Sequence, residues 1–161
     1  NVIRLIEAFE QVTSGWTLVL AGSTGFGAEE ALERIEASSR KEDIRVLGYV
    51  TDAVLEDLFQ RASIFAFPSL DEGFGMPVLD AMARGLPVLT SNVSAMAEVA
   101  LDAALLVNPA DTTSIAEGLC RLTDDEVLRR RFAQQGLLRS AGFTWESTVE
   151  KTWKVYQELL G

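Results

Sequence analysis

Glu72 and Asp80 stand eight positions apart, with Gly73, Gly75 and Pro77 between them. Each of these residue types has a use at a binding site. Glycines allow backbone angles that other residues avoid and let a ligand approach the main chain. Pro77 suits the first turn of a helix, where its missing N–H costs nothing. The free N–H groups of such a turn, backed by the positive end of the helix dipole, attract an anion. Two carboxylates beside that anion can grip hydroxyl groups. An acidic loop residue is ordinarily just solvated, as is an acid on a helix surface; here two glycines and a helix start follow Glu72.

The elements that position these residues follow from hydrophobic patterning. The run Ser63-Ile64-Phe65-Ala66-Phe67 is an apolar strand leading directly into the loop, and Pro87-Val88-Leu89-Thr90 is the next strand after the helix. Upstream, residues 1–12 read as a helix with Val2, Leu5, Ile6 and Phe9 on one face. Residues 16–21 are a continuous apolar strand, as buried parallel strands are. A glycine loop, Gly22-Ser23-Thr24-Gly25-Phe26-Gly27, and a helix over residues 28–38 follow. Residues 44–47 form a strand that stops at Gly48. Thr51 or Asp52 can cap a helix carrying Val54, Leu55, Leu58 and Phe59. Residues 104–107 form the last strand, and residues 113–122, 125–140 and 144–160 are helical. Strands alternating with helices imply a Rossmann-like parallel sheet flanked by helices, an α/β fold with right-handed crossovers. The loops at Gly22, Gly48, residues 69–75 and Ser91 all follow strand C-termini, the edge where such sheets bind ligands.

At the central stretch the chain resembles a known family. The run Glu72-Gly73-Phe74-Gly75-Met76-Pro77, with Asp80-Ala81-Met82-Ala83 and Gly85-Leu86-Pro87-Val88, is similar to the nucleotide-sugar motif of the retaining GT-B glycosyltransferases of family 4. Ser91-Asn92-Val93-Ser94, Glu98-Val99 and the closing Phe143-Thr144-Trp145-Glu146 extend the likeness along the chain. The resemblance implies the C-terminal, donor-binding domain of the GT-B fold over residues 1–161. It assigns Glu72 to the transferred sugar and the position of Asp80 to the ribose. It sets the main chain of Gly73, Phe74, Gly75, Met76, Pro77 and Val78 against the diphosphate. It also places Gly22 near the donor phosphates, and Tyr49 and Val50 against the base. As residues alone, the Gly22 loop reads equally as a plain strand-to-helix turn, because it does not match Gly-x-Gly-x-x-Gly. Asp80 departs from the family, which has glutamate there. Aspartate keeps the charge but is shorter by about 1.5 Å, so the helix or ribose shifts or a water bridges.

The implied donor is a nucleoside diphosphate sugar, UDP- or GDP-linked. The resemblance also implies no tightly bound cofactor or metal, and no Asp-x-Asp pair occurs in the sequence. The implied acceptor is a hydroxyl of a saccharide or glycolipid. Net charge is −10, which disfavours nucleic acid as a partner and requires any phosphate site to be made locally. The single cysteine excludes an internal disulfide and fits a reducing compartment. With no apolar run near 18 residues, the expected location is the cytoplasm, with the complete enzyme peripheral at the inner membrane face. Arg129-Arg130-Arg131 reads as intramolecular pairing, and Glu98 as a brace for the loop at residues 91–94. The stripe Val149, Trp153, Tyr156 and Leu160 has helical spacing and is expected to pack on the core, with part exposed if it meets another domain.

By analogy with strand order 3-2-1-4-5-6, a central first strand precedes Asn1, and an N-terminal acceptor domain precedes that. The chain alone is then expected to be inactive. Two other readings stay open: a non-catalytic nucleotide-sugar-binding module, and a GT-B relative such as a nucleotide-sugar epimerase. A phosphorylase would need a cofactor lysine, and Lys41, Lys151 and Lys154 lie in no suitable motif. The lack of a dinucleotide fingerprint disfavours a dehydrogenase.

Overall fold

The computed structural model describes residues 1–23, 25 and 27–160. Thr24 and Phe26 of the glycine loop lie outside the described residues. Strand β1 (Leu18–Ala21) pairs in parallel with β2 (Ile44–Gly48), Leu18 facing Ile44. A second parallel sheet runs β3 (Phe65–Phe67), β4 (Val88–Ser91), β5 (Leu105–Val107), in that order. The helices are α1 (Val2–Phe9), α2 (Ala28–Glu36), α3 (Asp52–Arg61), α4 (Met76–Ala83), α5 (Ser94–Ala100), α6 (Thr112–Asp124), α7 (Glu126–Ser140) and α8 (Trp145–Leu160). Among the described residues the two sheets share no strand pairing.

Period-2 alternation along β4 divides the core into two layers. Leu89 points into a cluster with Leu5, Ile6 and Phe9 of α1 and Ile115, Leu119 and Leu122 of α6. Its neighbour Val88 points the opposite way, onto Val78, Met82, Met96 and Val99 of α4 and α5. The whole of β4 is buried, and its two polar members are satisfied there: Thr90 Oγ1 donates to the carbonyl of Phe67 and Ser91 Oγ to that of Ser69. Gly118 lets α6 lie close on the sheet: a Cβ there would sit 2.7 Å from Val107 Cγ1 and 2.8 Å from Leu89 Cδ1. Gly136 does the same for α7 against Met82.

Several expectations are corrected by packing. Val2 is exposed and Ala8 joins the buried face of α1 instead; the helix ends at Phe9, and Val12 is buried beyond it. On α3 only Phe59 is buried, beside Phe65; Val54 and Leu55 face solvent. Helix α8 buries nothing. Val149, Trp153, Tyr156 and Leu160 are all more than half exposed, so the stripe does not pack on this core. The arginine run does pair internally. Arg129 donates to the carbonyls of Leu122 and Thr123, Arg130 meets Glu126, and Arg131 lies over Phe132.

Arg34 of α2 pairs with two carboxylates at the end of α1: its Nη2 donates to Glu10 Oε2 at 2.6 Å, and its Nε lies 3.5 Å from Glu7 Oε1. Chiefly through that hydrogen bond, Arg34 holds the Glu10 carboxyl below its usual value of 4.5. A carboxylate with a depressed folded pKa stabilises the fold above its unfolded pKa and loses that contribution as pH falls through the folded value. Glu10→Gln therefore melts below the parent at neutral pH. The gap closes as pH drops below 4.5, which thermal melts across pH 2–7 (about the accessible range) measure.

Candidate functional site

The loop between β3 and α4 is held from four sides. Asn1 Nδ2 donates to the carbonyls of Pro68 at 2.8 Å and Pro109 at 2.7 Å, tying the end of β3 to the end of β5. Ser91 Oγ, at the end of β4, donates to the carbonyl of Ser69. From the start of α5, Ser94 Oγ lies 2.6 Å from Asp71 Oδ1, 2.8 Å from Glu72 O and 3.2 Å from Glu72 N. The fourth contact is aromatic: Phe143 meets Phe74 edge-on at 6.0 Å between ring centres. Arg139 lies over Phe143 and donates to the carbonyls of Glu98 and Val99.

Within this frame Glu72 is half-buried, and its Oε1 accepts from Ser69 Oγ at 3.2 Å. Gly75 caps α4 in the left-handed region, φ +92°, and Pro77 occupies the first turn. No side chain caps this helix. The main chain folds back on itself instead, Val78 N–H donating to Gly75 O at 2.9 Å. That corrects the expectation for Val78, whose N–H is consumed by its own turn. Among the described residues the N–H groups of Gly73, Phe74, Gly75 and Met76 have no hydrogen-bond partner, so these are the donors that face the loop. Gly73 is also corrected: its φ is not in the left-handed region, and a Cβ there would touch nothing. Of these two loop glycines, Gly75 is the one whose backbone calls for glycine.

Asp80 is exposed on α4, with its Oδ1 3.5 Å from Arg84 Nη1. Arg84 is shared: its Nε and Nη2 both reach Glu56 Oε2 at 2.8 Å, and it lies over Phe59. Glu56 raises the arginine's pKa and has its own lowered in turn. A second cluster sits at the ends of β1 and β2. Gly22 N–H donates to Gly48 O at 2.9 Å, which joins the glycine loop to the Gly48-Tyr49-Val50 turn. Gly48 is left-handed at φ +66°, Tyr49 is exposed and Val50 is half-buried. No hydrogen bond or ion pair among the described residues links this cluster to Glu72; both lie at strand C-termini of their own sheets.

Sequence reasoning took residues 91–94 for a turn and Glu98 for a brace. In the structure residues 94–100 are a helix, α5, and the Glu98 side chain is exposed while its carbonyl accepts from Arg139. The run Val93-Ser94-Ala95-Met96-Ala97 lacks both a capping side chain and a clear period, which hid the helix. Asp71, Ser94, Arg139 and Phe143 were missed as site residues. The only available signal for the last was its place in the closing Phe143-Thr144-Trp145-Glu146 motif.

The model of glycosyl transferases group 1 matches residues 1–139. The chain belongs to this family. It is 33% identical to O-antigen chain mannosyltransferase B of Escherichia coli over 99% of its length, spanning 43% of that relative. Phosphatidyl-myo-inositol mannosyltransferase of Mycobacterium leprae is 32% identical over 95% of the chain, which spans 41% of it. Among solved structures, the C-terminal domain of the group 1 glycosyl transferase LpcC from Francisella tularensis superposes at TM-score 0.76 with 26% identity, covering 87% of this chain and 77% of that one. The chain thus has the Rossmann-like α/β architecture of a GT-B C-terminal domain, and it spans less than half the length of the curated relatives named here. Among the described residues no helix is long and apolar enough to cross a membrane.

Proposed function

We propose that this glycosyltransferase domain binds the donor, a nucleoside diphosphate sugar, for transfer of a hexosyl unit to a hydroxyl acceptor with retention. The observation that carries the reading is the uncapped start of α4, whose unpartnered N–H groups adjoin a half-buried Glu72 held on both main-chain sides. Those N–H groups and the helix dipole stabilise the diphosphate as it leaves, an electrostatic role of the oxyanion-hole type. Glu72 accepts from hydroxyls of the transferred sugar. Asp80 accepts from the ribose, with Arg84 behind it fixing its direction. Gly22, Tyr49 and Val50 line the base and phosphate side. The mannosyltransferase relatives and the HepE protein of Anabaena, solved with UDP-glucose (TM-score 0.82, 19% identity, 96% of this chain and 44% of that one), support this class of donor.

The rest of the cleft lies outside residues 1–161 in this reading. One strand preceding Asn1 enters between β1 and β3, and an N-terminal domain brings the saccharide or glycolipid acceptor. The open order of the two sheets supports the strand, because each otherwise leaves an edge unpaired.

Thermal unfolding against UDP, GDP, UDP-glucose and GDP-mannose tests the donor site, since a ligand that binds only the folded state raises the midpoint. A rise with one base is expected, larger for its sugar conjugate. No rise with any of them, both in this chain and in the chain extended upstream of Asn1, overturns the reading.

A further inference from the structure

Glu72 belongs to a loop, and a carboxylate on a loop orients a ligand only if the loop's main chain is held in place. Ser94 supplies that restraint from another element. A hydroxyl has one proton and two acceptor positions. With Asp71 Oδ1 at 2.6 Å, the charged acceptor takes the proton, and the oxygen is left to accept from Glu72 N–H at 3.2 Å. Glu72 O, 2.8 Å away, is the alternative acceptor. One atom thus touches both peptide groups of the acidic residue and fastens its neighbour.

Ser94 does this from a conformation that a residue with a Cβ seldom adopts, φ +57°. Its mounting is rigid. Met96, two residues on, is fully buried beneath Gly75, and the far end of α5 is tied to α7 through Arg139. Backbone strain kept at a site by its surroundings is a reason to ask what the strained residue does.

We infer that Ser94 is a positioning residue for the donor sugar: paired with Asp71, its hydroxyl fixes the main chain of Glu72 and so the place of the Glu72 carboxylate. The inference rests on the donor-site reading above and deepens it. Ser94 touches no phosphate in this role; its action passes through Glu72.

The test separates positioning from folding because glycine is the relaxed residue at this φ. Ser94→Gly removes the hydroxyl and the strain together. In the complete protein, Ser94→Gly is expected to melt no lower than the parent and to keep the midpoint rise given by free UDP or GDP. The additional rise given by UDP-glucose or GDP-mannose is lost. The kcat for transfer drops about 10²-fold, the size of effect expected when a reacting group is misplaced by an ångström, while KM changes far less. Asp71→Asn leaves the serine in place and gives a smaller loss in the same direction. Added to Ser94→Gly it costs nothing further, because the pair acts as a unit. A parent that discriminates the sugar conjugate, with Ser94→Gly discriminating equally well, overturns the inference and leaves the donor site standing. Additive losses in the double variant also overturn it. A parent that binds no nucleotide overturns both.

Discussion

Glu72→Gln in the complete protein is expected to lower kcat for sugar transfer about 10²–10³-fold, the cost of removing one well-placed electrostatic group from a reaction centre. Binding of the free nucleoside diphosphate should change little. Glutamine keeps the shape and one acceptor oxygen, so the hydrogen bond from Ser69 Oγ survives. What disappears is the negative charge, and with it the strong acceptance from a sugar hydroxyl as charge builds on the anomeric carbon. The N–H groups of Gly73, Phe74, Gly75 and Met76 remain as they were, and they are the proposed contacts of the diphosphate. Paired measurements of transfer rate and of binding to UDP and GDP decide the matter. A variant within about threefold of the parent rate would remove Glu72 from the reaction, since a lost charge-assisted bond is worth more than that. A variant that loses the free nucleotide as well would reassign Glu72 to the phosphates.

Gly75→Ala is expected to disrupt the site and weaken the fold together. At φ +92° a residue with a Cβ costs about 1–2 kcal/mol relative to glycine. The added methyl would also fall inside the envelope of Met96 Cε and 2.9 Å from its Sδ. Met96 is fully buried in the cluster of Val78, Met82 and Val99, so its thioether must repack within the core, and overpacking of this kind adds about 1–3 kcal/mol. The start of α4 shifts in response, carrying the Met76 N–H with it. Thermal melts should show a clear drop in midpoint, and titration with UDP or GDP a loss of affinity. Gly73→Ala is the control. With no left-handed φ and open space around its Cβ, it should leave the melting point near the parent value. Equal destabilisation by the two substitutions would mean that Gly75 is not the strained position.

The two glycines show what a sequence can and cannot say about such a loop. Both stood in the motif, and glycine's freedom applied equally to each on paper. Their dihedral angles and their surroundings separate them, since Gly75 is left-handed and sits over Met96 while neither holds for Gly73. Val78 is a similar case. Its position in the first helical turn marked its N–H as available, yet the turn closes on Gly75 O and uses it. Asp80 was legible as a departure from glutamate, but its pairing with Arg84 and, through that, with Glu56 on α3 joins residues 24 positions apart. The i,i+4 contact of Asp80 with Arg84 follows a local helix pattern; the reach of Arg84 to Glu56, 28 positions away, follows none.

The chain by itself determined the alternation of strands and helices, the parallel order, the strand-to-loop-to-helix path through Glu72 and the membership in its family. These follow from local rules: apolar runs of strand length, capping residues, glycines and a proline at fixed offsets. Tertiary structure alone decided which apolar positions are buried. Val54 and Leu55 on α3 and the stripe of α8 carry the right spacing and still face solvent, because periodicity names a face without naming what covers it. It also decided that the loop through Glu72 is held by Asn1, by Ser91 and Ser94, and by Phe143, from three separate parts of the chain. A hydrogen bond across 22 residues, such as that between Ser94 and the main chain of Glu72, exists only once β3 and β4 lie side by side and bring their loops to one edge.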